Sequence, residues 1–150
     1  MFNEKKFIEK AISNLQKDIT GKALIAFSGG VDSTVCAALV NKTIGKRLIA
    51  VHVNTGYMRK NESEQVTQMM EELSLNYRFV NASKEYYHAL KGVEDPEKKR
   101  KIIGEKFIRI FEKVARKEKT DYLVQGTIAP DWIESGGGLR DTIKSHHNVG

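Results

Sequence analysis

Residues 23–34 read Ala23-Leu24-Ile25-Ala26-Phe27-Ser28-Gly29-Gly30-Val31-Asp32-Ser33-Thr34. Five apolar residues in a row, stopped by Ser-Gly-Gly, suit a strand buried on both faces. A helix opening at Asp32 follows, with Val35, Cys36, Leu39 and Val40 on its inner face and Gly45 to end it. Strand, glycine turn and helix in that order form the first part of a unit that recurs along the chain.

Upstream, Phe7, Ile8, Ala11, Ile12, Leu15 and Ile19 fall at helical spacing, with Gly21 as the stop. Downstream, residues 48–53 form a second apolar strand and residues 54–60 a loop. Asn61 with Glu64 three residues on marks a helix start, and Val66, Met69, Met70 and Leu73 give that helix its stripe. Residues 77–81 read as a third strand. Ser83 opens a short helix through Tyr86, Tyr87 and Leu90. Asp95-Pro96 begins a longer one, because proline suits the first helical position; its face is Ile103, Phe107, Ile110, Phe111 and Val114. Residues 121–125 make a fourth strand, and residues 126–150 are loop-rich, with Gly136, Gly137 and Gly138 in succession.

Alternating strands and helices predict an α/β fold: a parallel, doubly wound sheet with helices on both faces. Ligands of such sheets bind beyond the carboxyl ends of the strands, near the point where strand order reverses. Three polar, glycine-containing clusters follow strands here, at residues 28–34, 54–60 and 126–135. Together they predict one composite site.

The 150 residues suit a single domain. A hydrophobic fraction of 40% excludes a disordered chain. Lys plus Arg number 25 against 19 Asp plus Glu, a net charge of +6 that suits phosphate-bearing ligands. It falls short of the dense basic stripe of a dedicated nucleic-acid binder, so no specific nucleic acid is expected. The one cysteine, Cys36, can form neither an internal disulfide nor a Cys-rich zinc site. No apolar run approaches the ~18 residues of a membrane span, and the charged N-terminus lacks a signal-peptide core. A cytoplasmic location with no membrane partner is the expectation.

In the Ser28–Thr34 stretch, two glycines let the backbone turn tightly and approach a ligand closely. The helix behind them offers unpaired N–H groups and the positive end of its dipole, which favour an anion, most naturally a phosphate chain. Ser28, Ser33 and Thr34 add hydroxyls. The Walker pattern requires a lysine that is absent, and the dinucleotide fingerprint a third glycine where Ser33 stands. Asp32 is the informative residue. A carboxylate beside phosphates repels them unless a divalent cation bridges the two, which points to Mg²⁺ with a polyphosphate. The alternative, in which Asp32 merely caps the helix, has equal standing on spacing alone.

Ser28-Gly29-Gly30-Val31-Asp32-Ser33 resembles the pyrophosphate loop of the N-type ATP pyrophosphatases, which cleave ATP between its α and β phosphates and transfer AMP to a substrate oxygen. Further stretches resemble the GMP synthetase family within that class, in its order and approximate spacing: residues 97–104 (Glu97 to Gly104), Gln125 to Asp131, Ile133-Glu134-Ser135 and Ile143 to Asn148, together with Val51-His52-Val53 and Gly56-Tyr57-Met58-Arg59. The resemblance covers essentially the whole chain after Gly21.

It implies the adenine-nucleotide α-hydrolase-like fold and a two-step reaction. An oxygen at C2 of xanthosine monophosphate (XMP) attacks the α-phosphorus of ATP and pyrophosphate leaves; ammonia then displaces AMP to give GMP. Ser28, Gly29, Gly30, Val31, Asp32, Ser33 and Thr34 would hold the pyrophosphate moiety. Val53 would line the adenine pocket, Asp32 and Asp131 would serve Mg²⁺, and Lys144 would neutralise charge on the α-phosphate. Arg100 would contact XMP, against the reading of Lys98 to Lys101 as a solvated face. His146 and His147 would lie near the nucleotide, and Trp132 would cover it. His52 and His88 are read as structural, Cys36 as buried packing, and Met69 and Met70 as core and edge of core. Ala129 and Trp132 depart from the family's usual residues at the lid that holds Gly136 to Gly138.

The resemblance further implies a separate glutamine amidotransferase subunit as ammonia source. It also implies that residues 1–150 are one ATP-pyrophosphatase domain, incomplete at the C-terminus, with a homodimerising domain outside this chain. A tRNA-modifying member of the class and a non-catalytic ATP-binding module are the rival readings.

Overall fold

The computed structural model describes residues 1–127. In chain order the elements are α1 (Glu4–Asp18), β1 (Ala23–Ala26), α2 (Val31–Ile44), a single 3₁₀ turn at Gly45–Arg47, β2 (Leu48–Asn54), α3 (Glu62–Glu72), β3 (Asn76–Asn81), α4 (Ser83–Leu90), α5 (Pro96–Glu118) and β4 (Tyr122–Val124). The four strands form one parallel sheet in the order β3-β2-β1-β4.

Alternate residues of the strands feed two cores. Ala23, Ile25, Phe27, Leu48 and Ala50 face Ala37, Val40 and Ile44 of α2 and Val66 and Met70 of α3, with Leu15 of α1 packed alongside. Leu24, Ile49, Val51 and Val53 face Tyr86 of α4 and Ile110 and Phe111 of α5. The sheet is therefore covered on both sides, the doubly wound arrangement that continuous apolar strands require. Strand order reverses at β1, whose neighbours β2 and β4 are reached across opposite faces. The switch point lies between β1 and β4, at the carboxyl end of β1.

Local chemistry sets the helix starts. Asn3 accepts from Lys6 N–H at 3.0 Å and opens α1. Asp95 accepts from Lys98 N–H at 2.6 Å, with Pro96 in the first turn of α5. α3 starts where the Asn61–Glu64 signal places it, but without the expected cap. Asn61 stands at its N-cap in a left-handed conformation (φ 59°) and makes no side-chain cap. Glu62 instead reaches back to accept from Arg59 N–H at 2.7 Å.

Four apolar stripes are also narrower than their sequence suggests. Val35 is exposed, and α2 buries Ala37 and Ile44 beside Val40. Phe7 and Ile8 are exposed on α1, as are Tyr87 on α4 and Ile103 on α5. Among the described residues no helix is long and apolar enough to cross a membrane.

Candidate functional site

The Ser28–Thr34 stretch forms the turn from β1 into α2 at the switch point. Gly29 takes φ +80°, a conformation that L side chains rarely adopt, and a Cβ there would lie 2.8 Å from Val66 Cγ2 of α3. Gly30 is the N-cap of α2 and makes no side-chain cap. Asp32 is thus one residue inside the helix, in its first turn, exposed and with its carboxylate uncommitted to any cap. The capping alternative for Asp32 is excluded among the described residues.

The loop's hydroxyls close a ring. Gly30 N–H donates to Ser28 Oγ at 3.2 Å, Ser33 Oγ donates to the Gly30 carbonyl at 3.1 Å, and the two serine oxygens lie 3.0 Å apart. With the Ser33 proton on the carbonyl, Ser28 is the donor between the hydroxyls. The N–H groups of Val31, Asp32 and Ser33 are first-turn groups without intrahelical acceptors. Thr34 differs from its serine neighbours: its hydroxyl turns to α3 and donates to Met69 Sδ at 3.7 Å. It holds the loop rather than facing the opening.

A cleft of about 660 Å³ opens beside the loop, within the range of small-molecule sites. Ser28, Gly30, Asp32 and Ser33 form one wall, Phe107 and Phe111 of α5 the apolar one, and Gln125, Gly126 and Thr127 beyond β4 the third. Gly126 sits against the first turn of α2: a Cβ there would come within 3.1 Å of Asp32 C and Ser33 N. The segment after β4 therefore buttresses the N-terminal end of α2 through backbone contact.

The other predicted residues fall in three places. Val53 is buried at the carboxyl end of β2, on the side of the loop away from the cleft lining. Arg100 lies on the exposed side of α5, pairs with Glu97 at 2.7 Å and does not line the cleft. Asp131, Lys144, Trp132, His146 and His147 lie outside the described residues.

Of the structural histidines, His88 is exposed on α4, whereas His52 is buried and doubly hydrogen-bonded. Cys36 is half-buried against the α2–α3 core, and its thiol is pushed up first by burial and then by the Asp32 charge. Sequence reasoning did not assign Phe107 and Phe111 to the site, because their helical spacing signals only a packed face. It also missed the seating of Val66 on Gly29, since nothing local marks which helix backs the loop.

Residues 3–130 match the family model described as NAD synthase. A subunit of the glutamine-hydrolyzing GMP synthase of Methanopyrus kandleri is 57% identical over 152 residues, covering 100% of this chain and 47% of that protein. The protein of the same name from Methanocaldococcus jannaschii is 54% identical over 151 residues, covering 99% of this chain and 47% of its own length. The chain spans about half the length of these curated relatives. Among solved structures, the NH3-dependent NAD synthetase of Campylobacter jejuni in complex with nitrate superposes with a TM-score of 0.74 at 16% identity, over 91% of this chain and 62% of that one. The NMN synthetase of Francisella tularensis gives 0.66 at 17% identity, over 81% and 54%. At such identities these two likenesses establish the fold.

Proposed function

On the premise that the chain belongs to the NAD synthase family, we propose that it carries the ATP-activating centre of a GMP synthase. The observation that carries the proposal is identity of 50–57% along essentially the whole chain to proteins named as a subunit of glutamine-hydrolyzing GMP synthase. The phosphate loop supports it independently, because its free N–H groups and exposed Asp32 open onto a cleft at the switch point.

In this reading the first turn of α2 receives the pyrophosphate moiety, with Ser28 and Ser33 donating to its oxygens. Val53 presents its backbone to the adenine edge. Asp32 and Asp131 would hold Mg²⁺. The donor set fits that ion: Asp32 is an exposed, uncapped carboxylate beside the N–H groups that would hold phosphate oxygens. Mg²⁺ is commonly bound through one or two carboxylates together with substrate phosphates and water. When bound, it neutralises phosphate charge. Lys144 would meet the charge growing on the α-phosphate, and Arg100 would orient XMP. The C2 oxygen of XMP bonds to the α-phosphorus as the bond to pyrophosphate breaks. Ammonia then adds at C2 and AMP departs. A glutamine amidotransferase subunit would supply the ammonia.

Pyrophosphate release from Mg–ATP, followed in the subunit that contains this chain, tests the proposal. Release that depends on XMP supports it. Release that depends on tRNA would assign a different member of the pyrophosphatase class. ATP binding without release under any acceptor would leave only a nucleotide-binding module.

A further inference from the structure

His52 is 2% exposed on β2, beneath the phosphate loop. Its Nδ1 lies 3.1 Å from the Phe27 carbonyl, and its Nε2 lies 3.1 Å from Ser63 Oγ at the start of α3. A carbonyl only accepts, so the hydrogen is on Nδ1, and Nε2 can accept from the serine. Phe27 is the last residue before Ser28. One imidazole thus links the root of the loop to α3, the helix whose Val66 seats Gly29 and whose Met69 takes the Thr34 hydroxyl.

The bond to Phe27 also interrupts the sheet. The β1–β2 pairing runs on past β1 with Phe27 N–H donating to the Val51 carbonyl at 2.9 Å. The next step of a parallel ladder would be Val53 N–H to the Phe27 carbonyl. Among the described residues no such backbone bond is formed, and His52 holds that carbonyl instead. Val53 turns its backbone to the same side as Val51, so its N–H stays open toward the gap between β2 and the loop.

We infer that His52 is a positioning residue for nucleotide binding: by occupying the Phe27 carbonyl it stops the β1–β2 ladder one step early and keeps the Val53 N–H available to the adenine edge. This rests on the ATP-binding reading above. It assigns the histidine no contact with substrate.

The test compares His52→Phe, which keeps a ring against Phe79, whose centroid lies 5.9 Å from that of His52, but removes both hydrogen bonds, with His52→Asn, which restores an N–H near Nδ1. Mg–ATP affinity is measured by calorimetry, KM for ATP and for XMP by pyrophosphate release, and Val53 amide exchange by mass spectrometry, all on the subunit containing this chain. His52→Phe should weaken ATP binding and raise its KM about tenfold, the size of one lost hydrogen bond, with kcat and the KM for XMP within about twofold. Val53 exchange should slow as the ladder closes, and His52→Asn should recover ATP affinity to within about threefold.

Unchanged ATP affinity in His52→Phe, or unchanged Val53 exchange, overturns the inference; so does an equal rise in both KM values, which marks a merely structural role. Should His52→Phe fail to fold, Ser63→Ala, which leaves the ring but frees its far side, must raise the ATP dissociation constant about threefold, and a wild-type value there overturns the inference. Wild-type subunit that binds ATP but releases no pyrophosphate with XMP defeats the GMP synthase reading alone, since the affinity and exchange comparisons need no acceptor.

Discussion

Replacing Gly29 with alanine should destabilise the fold through two separable effects. The first is backbone conformation: at φ +80° a side chain meets its own carbonyl, at a cost of about 1–2 kcal/mol. The second is contact. The new Cβ would stand 2.8 Å from Val66 Cγ2, and Val66 is buried on a stiff, β-branched side chain that cannot rotate away freely. Overpacking of that kind costs ~1–3 kcal/mol, so the sum is about 2–5 kcal/mol. Against a typical domain stability of about 5–15 kcal/mol the variant still folds at 25 °C, with its urea midpoint lowered and its m-value unchanged.

Val66→Ala separates the two effects. In its presence Gly29→Ala should cost only the conformational part, about 1–2 kcal/mol, and the difference between the increments is the coupling energy. Urea melts of the four proteins measure it. A Gly29→Ala variant within about 0.5 kcal/mol of wild type, or one whose cost Val66→Ala leaves untouched, would refute the account of how the loop is seated.

Asp32→Ala should abolish XMP-dependent pyrophosphate release while costing only about 0.3–1 kcal/mol of stability, because the carboxylate caps nothing and merely faces the helix dipole; release assays beside melts decide. Arg100→Ala should raise the KM for XMP in pyrophosphate-release assays and leave that for ATP unchanged, since Arg100 does not line the cleft beside the loop. Tyr86→Phe should stabilise the fold by about 1 kcal/mol in urea melts, because the buried Tyr86 hydroxyl lacks a hydrogen-bond partner among the described residues. Burial, aided by the Glu85 charge, pushes that hydroxyl up to about 12, so its contribution is flat across neutral pH. The hydrogen bonds and charge of Arg78 hold Glu118 below its ordinary value of 4.5. Its contribution is present above that value and lost as pH falls through the lowered one, so Glu118→Gln should destabilise at pH 7 and converge on wild type once the pH falls below the lowered value in urea melts.

The strand–loop–helix at residues 23–44 was legible because its signals are local: a strand buried on both faces must be apolar throughout, and a tight turn at positive φ requires glycine. The inner face of α2 was less so. Ala37, Val40 and Ile44 share the helix with apolar residues on its other sides, and Val35 stands exposed among them. The Asn61–Glu64 pair has the composition of a capping box, but composition carries no information about φ, and the left-handed Asn61 forfeits the cap. Within the site, the loop and Asp32 could be read directly. Gly126 against α2 and His52 beneath Phe27 could not, because each depends on which distant backbone the sheet delivers to it.

In the proposed reading, the closed ring of Gly30 N–H, Ser28, Ser33 and the Gly30 carbonyl makes capture at these three donors an exchange reaction, unlike capture at the free N–H groups of Val31, Asp32 and Ser33. An incoming oxygen that takes the Gly30 N–H or either hydroxyl displaces an internal acceptor already in place, so what decides retention is the difference between two acceptors. A feeble acceptor such as chloride gains little by the swap, whereas an anionic phosphate oxygen gains the surplus of a charge-assisted bond. Under the proposed reading the ring keeps its own shape in the absence of a ligand, and at these donors it favours a phosphate oxygen over chloride before any side chain outside the loop takes part.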